Sequence, residues 1–501
     1  MSVKRNIIAN YAGQLYATLI GILLVPLYVR YMGIEAYGLV GFFTMLQGWF
    51  MLLDMGLTPT LSREAARFNG GALSALDLRR LVRAFEGIFL AVGFAGALVL
   101  IASAGLIADQ WLKVQQLDLF EVQRAVMLMA VIVALRWVGG LYRGAVTGFE
   151  RIVWLSGYNI VIATLRFVLV VPFLIYVGAT PTHFFGYQLV VAVIELAVLV
   201  AKTYRLLPAV STPGWIRWEW RPLRDVMRFA LSAAFTSAIW VLVTQTDKLV
   251  LSGLLPLSDY ALFTLAVLVA SGIALLSSPI TGAILPRLTK LSAQGDEAGV
   301  VRLYRDATQL VTVIAVPIVL VLAFFPLQVL NAWTGQPEVA AKAAPVLTLY
   351  AVGNGILALA AFPYYLQVAR GNLNLHLIGN LIFVLLFVPL LWLAVTRFGM
   401  IGAGYAWVLA NLLPFLAWLP VVHHHFLKGM HLRWLAQDIG VIALLPTIAA
   451  ALAAQLIDWP PARWALVPLL IILYLGLALA AAGSSSTVRA RLRGPWSMRM
   501  A

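Results

Sequence analysis

Apolar runs of about 20 residues, the length a helix needs to cross a hydrocarbon core, recur from one end of this chain to the other. Measured with that ruler, about fourteen candidate spans begin near residues 7, 37, 84, 123, 153, 184, 229, 260, 307, 345, 375, 403, 439 and 464. No arrangement of soluble cores absorbs that much apolar surface. Of 501 residues, 62% are hydrophobic and 11% charged, against about 25% charged in a typical soluble domain. In lipid every backbone polar group must be satisfied internally, and runs of this length satisfy it as helices. The expected fold is therefore an all-α polytopic membrane protein. The first run, "MSVKRNIIANYAGQLYATLIGILLVPLYV", has the charged start of a signal peptide. Its apolar part is too long and no small-residue cleavage site follows, so it reads as a retained first span. The chain has no cysteine, which excludes disulfides, thiolate metal sites and thiol nucleophiles.

Net charge is +15, a value that in a soluble protein points to nucleic acid. Here the Lys and Arg residues divide between alternate connections, 26 on one side and 6 on the other. Cytoplasmic connections carry that excess, so both termini are expected to be cytoplasmic, with the basic loops against anionic headgroups. The charges are scattered over many loops with no compact patch, and no nucleic-acid partner is expected.

The chain also repeats itself. "EAYGLVGFF" (35–43) and "SDYALFTLA" (258–266) each open a span, with Tyr37 and Tyr260 in register. "RFVLVVPFL" (166–174) resembles "FVLLFVPLL" (383–391), and Gly186-Tyr187 matches Gly404-Tyr405. The offset stays near one value and the order is shared, which marks an internal repeat. Six helices per unit preserve orientation, so the repeat is parallel. The expected organisation is an N-lobe over 1–203, a cytoplasmic linker over 204–228, a C-lobe over 229–427, two extra helices over 428–483, and a basic tail over 484–501. Trp215, Trp218 and Trp220 in the linker suit a membrane interface.

Charged groups inside the spans point toward function. A charge at the bilayer centre costs roughly 3 kcal/mol on insertion scales, and such residues mark substrate or ion pathways. Arg136 lies deep in the fourth span, with Arg143 seven positions later on the same face, and Thr147 and Glu150 continuing that stripe. Arg166 sits in the fifth span with Asn159 two turns before it; Glu195 is mid-span in the sixth, with Gln188 and Lys202 on its face. Asp54 shares a face with Gln47 and Thr58, and Asn10 and Gln14 mark a polar face on the first span. Asp247 and Lys248 are adjacent, and neighbours on a helix point about 100° apart. Each is therefore expected to need another partner, a hydrated cavity or, for Lys248, a snorkelling path to the headgroups.

Polar stripes on several spans imply a shared hydrated interior between the lobes; buried ion pairs such as Arg166 with Glu195 are the structural alternative. The planar guanidinium fork suits phosphate. Candidate anion ligands are Arg136, Arg143, Arg166 and Lys248, with Arg30 at an outer end; candidate carriers of a coupling proton or sodium ion are Glu195, Asp54 and Asp247. Prolines 26, 172, 279, 317, 363, 389 and 414 interrupt many spans and permit bending. His423-His424-His425 is the one histidine cluster, expected at a membrane interface rather than on a metal. No cofactor is expected.

"NIIANYAGQLYATLIGILLVPLYVRYMGIEAYGLVGFFTMLQ" and "TDKLVLSGLLPLSDYALFTLA" (244–264), with Asp247, Lys248, Gly253 and Tyr260, resemble bacterial polysaccharide flippases, the O-antigen exporters of the multidrug/oligosaccharidyl-lipid/polysaccharide superfamily. "LQVARGNLN" (366–374) resembles the short turn before their eleventh helix. The resemblance covers roughly residues 6–430. It implies a two-lobe fold with a cationic cavity in the bacterial inner membrane. It also implies transfer of an undecaprenyl-pyrophosphate-linked sugar from the cytoplasmic to the periplasmic leaflet. A multidrug antiporter of the same superfamily is an alternative, but its cationic substrates favour carboxylates over mid-span arginines. The lipid II flippase is another; it is expected to place arginines deep in its first two helices, where this chain has only Arg30 at an outer end. A lipid-linked glycan polymerase or ligase would hold its acceptor in a substantial outer loop, and the longest here, near 109–122 and 331–344, are short.

Overall fold

The computed structural model describes residues 3–209 and 221–490. The linker tryptophans and the tail beyond 490 lie outside the described residues. Within them every regular element is helical, and the one β-bridge, Lys113 with Pro256, is isolated. Twelve of these helices are long and apolar enough to cross a membrane, two fewer than the expected fourteen. One of the twelve, Asn374–Phe426, runs 53 residues and is broken at Gly399, with φ 58° and ψ −142°. That backbone conformation is open only to glycine, and each arm alone exceeds the roughly 20 residues a span requires. The break falls between the starts expected near 375 and 403. The Arg221–Leu254 helix, where the seventh span was expected, is 34 residues long and stands outside the twelve.

Apolar side chains cover the outside of these helices. Phe94, Leu385 and Ile472 are all more than half exposed, as side chains that face lipid are. Polar and small residues turn inward. Gly144 and Gly148 lie where the Leu119–Gly148 helix meets the Leu57–Asn69 helix; a Cβ on either would come within 3 Å of a backbone carbonyl oxygen, Thr58 O or Ser62 O. Small residues four apart let membrane helices approach this closely.

By backbone proximity the chain forms two compact units, Met1–Ala261 and Leu262–Ala501. In the first, the Arg221–Leu254 helix packs on the Ile34–Phe50 helix and is tied to the loop at 111–117. Trp111 Nε1 donates to Ser252 Oγ (3.0 Å), Lys113 Nζ to Leu254 O (2.8 Å), and Leu257 N to Lys113 O (3.0 Å). The buried Glu35 carboxylate accepts the N–H groups of Gln115, Gln116 and Leu117 at 2.5, 2.8 and 3.1 Å, holding that loop. In the second unit, the fully buried Asp438 accepts both Nε and Nη2 of Arg305 (2.8 and 3.0 Å) and Nε2 of Gln309 (2.8 Å). Gln309 Oε1 in turn accepts Ser485 Oγ and Thr487 N, which fastens the end of the Arg463–Ser484 helix to the Glu297–Phe324 helix.

The histidine cluster divides. His423 is fully buried: Tyr304 Oη lies 2.7 Å from its Nε2 and His431 Nδ1 lies 2.8 Å from its Nδ1. The turn at Gly429 (φ 76°) folds His431 back over it. His424 and His425 remain exposed. No group of metal-ligating side chains large enough to hold an ion occurs among the described residues.

Candidate functional site

Three of the arginines picked out from sequence converge on one carboxylate inside the first unit. Arg136 and Arg143 are two turns apart on the Leu119–Gly148 helix and so share a face. Glu195 projects toward them from the Pro181–Leu206 helix, with its side chain 6% exposed. Arg143 Nη2 donates to Glu195 Oε1 at 3.0 Å; Arg136 Nε stands 3.6 Å and Arg166 Nε 4.0 Å from Oε2. The remaining arginine bonds go to neutral acceptors, Arg136 Nη2 to Gln188 Oε1 (2.8 Å) and Arg143 Nη1 to Asn159 Oδ1 (2.5 Å). Arg166 has no hydrogen-bond partner for its guanidinium among the described residues. The ion-pair alternative is thus realised, but three to one, and the cluster keeps a net charge of two positives.

Arg166 reaches this point because its helix is wound differently there. Thr164–Val168 is a π-helical turn between Ile152–Ala163 and Val170–Tyr176. Such turns loosen the local hydrogen-bond ladder and recur at functional sites. In lipid the loosened carbonyls need donors, and neighbouring side chains supply them. Tyr187 Oη donates to Leu165 O (2.8 Å), Gln188 Nε2 to Arg166 O (2.8 Å), and Tyr28 Oη to Phe167 O (2.7 Å). Gln188 therefore bridges the side chain of Arg136 and the backbone of Arg166. Neither the π turn nor the tyrosine donors had a signal in the sequence, because a π turn has no residue preference of its own and a tyrosine on a span reads first as packing.

Beside the cluster is a cavity of about 270 Å³. Arg143, Arg166 and Glu195 line it, together with Asn159 and with Asn10, Gln14 and Thr18 from the Val3–Leu23 helix. The polar face expected on the first span is thus a wall of the cavity. All the residues that line this cavity belong to helices of the first unit.

The other candidates stand apart from it. Lys248 is not among the lining residues. Its Nζ donates to Thr244 O (2.6 Å) and lies 3.4 Å from Asp247 Oδ1, while Asp247 is 2% exposed. Lys248 thus finds the further partner expected for it, the Thr244 carbonyl, and keeps Asp247 as a longer ion-pair contact as well. The flexible lysine stem folds back along its own helix, as helical side chains do, and brings the ammonium within reach of both oxygens. The Asp54 carboxylate accepts Thr58 N at 3.3 Å and also Thr58 Oγ1, so it satisfies one of the free N–H groups in the first turn of the Leu57–Asn69 helix, whose N-cap is Gly56. Arg30 is exposed, with its guanidinium 6.0 Å from the Tyr31 ring.

A Shigella flexneri protein named "Putative O-antigen transporter" is 21% identical over 428 residues, which cover 84% of this chain and 98% of that protein. Among solved structures, the lipid II flippase MurJ in an inward closed conformation superposes with a TM-score of 0.70 at 12% identity, covering 97% of this chain and 99% of the other. An inward-facing multidrug transporter of the MATE family superposes at 0.66 with 15% identity, covering 81% and 94%. These likenesses establish a shared fold. Residues 3–292, more than half of the chain, match the model of one protein family. The chain belongs to the polysaccharide biosynthesis protein family, built on the fold of the lipid II flippase and the multidrug transporters.

Proposed function

We propose that this flippase-type transporter moves an undecaprenyl-pyrophosphate-linked oligosaccharide from the cytoplasmic to the periplasmic leaflet of the bacterial inner membrane by alternating access, with both termini cytoplasmic. The observation that carries this reading is the excess of guanidinium over carboxylate at a cavity within apolar helices. Two uncompensated positive charges in a low-dielectric setting favour an anion, and arginine presents paired donors that match phosphate oxygens. Arg143 and Arg166, which line the cavity, would grip the pyrophosphate, with Arg136 behind them. The sugar then occupies polar surroundings such as Asn10, Gln14 and Asn159. The same excess disfavours the multidrug-antiporter alternative, since a cationic drug would meet like charge.

Coupling, in this reading, is to protons. A sodium ion at Glu195 would face three guanidinium groups, whereas a proton can be carried by the carboxyl itself. Asp54 and Asp247 are each engaged locally, which leaves Glu195 as the carboxylate at the cavity. The test is a proteoliposome assay that follows exposure of a fluorescent lipid-pyrophosphate glycan on the far leaflet, with proton or sodium gradients imposed separately. Transfer by the wild-type chain, lost when Arg143 and Arg166 are both replaced by Ala, supports the reading. Transfer that ignores both substitutions refutes it.

A further inference from the structure

Glu195 is bound unevenly. Its Oε1 accepts a proper bond from Arg143, but Oε2 is buried without any hydrogen-bond partner, 3.6 and 4.0 Å from two guanidinium nitrogens. Arg136 Nε is likewise buried and unbonded. Charge-assisted N–H···O bonds close to about 2.7–2.9 Å where a pair is built for rigidity. Here half of the carboxylate is held by charge alone. The arginines do not depend on it for position: Arg136 is anchored on Gln188 and Arg143 on Asn159, both neutral. The charged and titratable groups facing Glu195 are Arg136 and Arg143 from one helix, Arg166 from the π turn, and Tyr158, whose hydroxyl donates to the Glu195 carbonyl.

We propose that Glu195 is a resident substitute anion: it occupies the arginine cluster when the cavity is empty, yields to an incoming anionic headgroup, and returns to displace it. This rests on the anion-site reading above and adds a role that binding alone does not need. Three unopposed guanidinium groups in a low-dielectric site would hold a pyrophosphate too long, and transport requires a site favourable enough to enter yet weak enough to leave. A tethered carboxylate lowers the affinity by competing and speeds departure. If Glu195 were instead a pin between the two helices, removing its charge would disorder the arginines and weaken binding. The two roles predict opposite signs.

The experiment uses the full chain in nanodiscs of zwitterionic lipid, with farnesyl pyrophosphate as the probe. Glu195→Gln is expected to bind the probe more tightly, on the order of tenfold, as is usual for a single coupling between sites, and to release it more slowly. In proteoliposomes the same variant is expected to show a lower KM with a lower maximal rate. Glu195→Asp, whose carboxylate is drawn back by one methylene, is expected to fall between wild type and Glu195→Gln. Equal or weaker binding by either variant overturns the proposal, and the Asp variant keeps it open to refutation if the Gln variant fails to fold. Failure of the underlying anion site looks different: wild type does not bind the probe, or Arg143→Ala with Arg166→Ala leaves binding unchanged.

Discussion

Arg136→Ala and Arg166→Ala are both expected to impair glycan export, yet to differ in what they do to the protein. The Arg166 guanidinium has no hydrogen bond to lose among the described residues and is 22% exposed at the cavity; its nearest carboxylate is 4.0 Å away. Its removal lowers the net charge of the cluster from two positives to one. A unit charge about 4 Å from another interacts by about 4 kcal/mol at an effective dielectric of 20. If only a third of that reaches a bound pyrophosphate, about 1.4 kcal/mol is lost, which is tenfold in affinity. Arg166→Ala should therefore insert, remain monodisperse and melt near wild type while export falls about tenfold or more. Arg136 is 8% exposed and donates to Gln188, so its loss also strips a buried acceptor. A hydrogen bond to a charged group contributes about 1.5–3 kcal/mol, and Arg136→Ala should lower both export and melting temperature. The assay pairs surface polysaccharide in cells relying on the variant with detergent melting of the purified protein. Normal polysaccharide in both single variants and in the double variant would refute the reasoning.

Other substitutions probe the rest of the structure. Gln188→Leu removes the donor to the Arg166 carbonyl and the acceptor for Arg136 together; a stability loss on the order of 2 kcal/mol is expected, read as a lower melting temperature. Asp438→Ala removes the bidentate acceptor of Arg305, which is partly exposed and keeps Gln437, and should cost about 1.5–3 kcal/mol, seen as earlier melting and faster proteolysis after Ser484. Glu35→Ala strips three N–H groups of their acceptor; faster cleavage within 111–118 by an added protease is the expected sign. An imposed pH gradient should accelerate transfer in proteoliposomes, and a sodium gradient at constant pH should not.

Much of the site could be read from residue spacing. The seven-residue step from Arg136 to Arg143, Asn159 two turns before Arg166, and Gln188 seven before Glu195 each set polar groups on one helical face, and the structure turns those faces toward one another. Asn10 and Gln14 followed the same rule. What spacing does not show has a common origin. The angle between adjacent residues does not say where the lysine ammonium of Lys248, at the end of a long, flexible stem, comes to rest. The place of His423 near the end of a span says nothing of Tyr304 and His431, which arrive from elsewhere in the chain to cover it.

The sequence by itself determined that this chain is a helical membrane protein, roughly where its helices begin, and which faces are polar. Those follow from local properties: apolar length against bilayer thickness, and the 3.6-residue period. Only the tertiary structure decided that three arginines share one carboxylate, that a π turn carries Arg166 to it, and that Lys248 stays with Asp247. Helix periodicity assigns a charge to a face, but how strongly that charge is compensated depends on distances of a few ångströms between helices far apart in the chain.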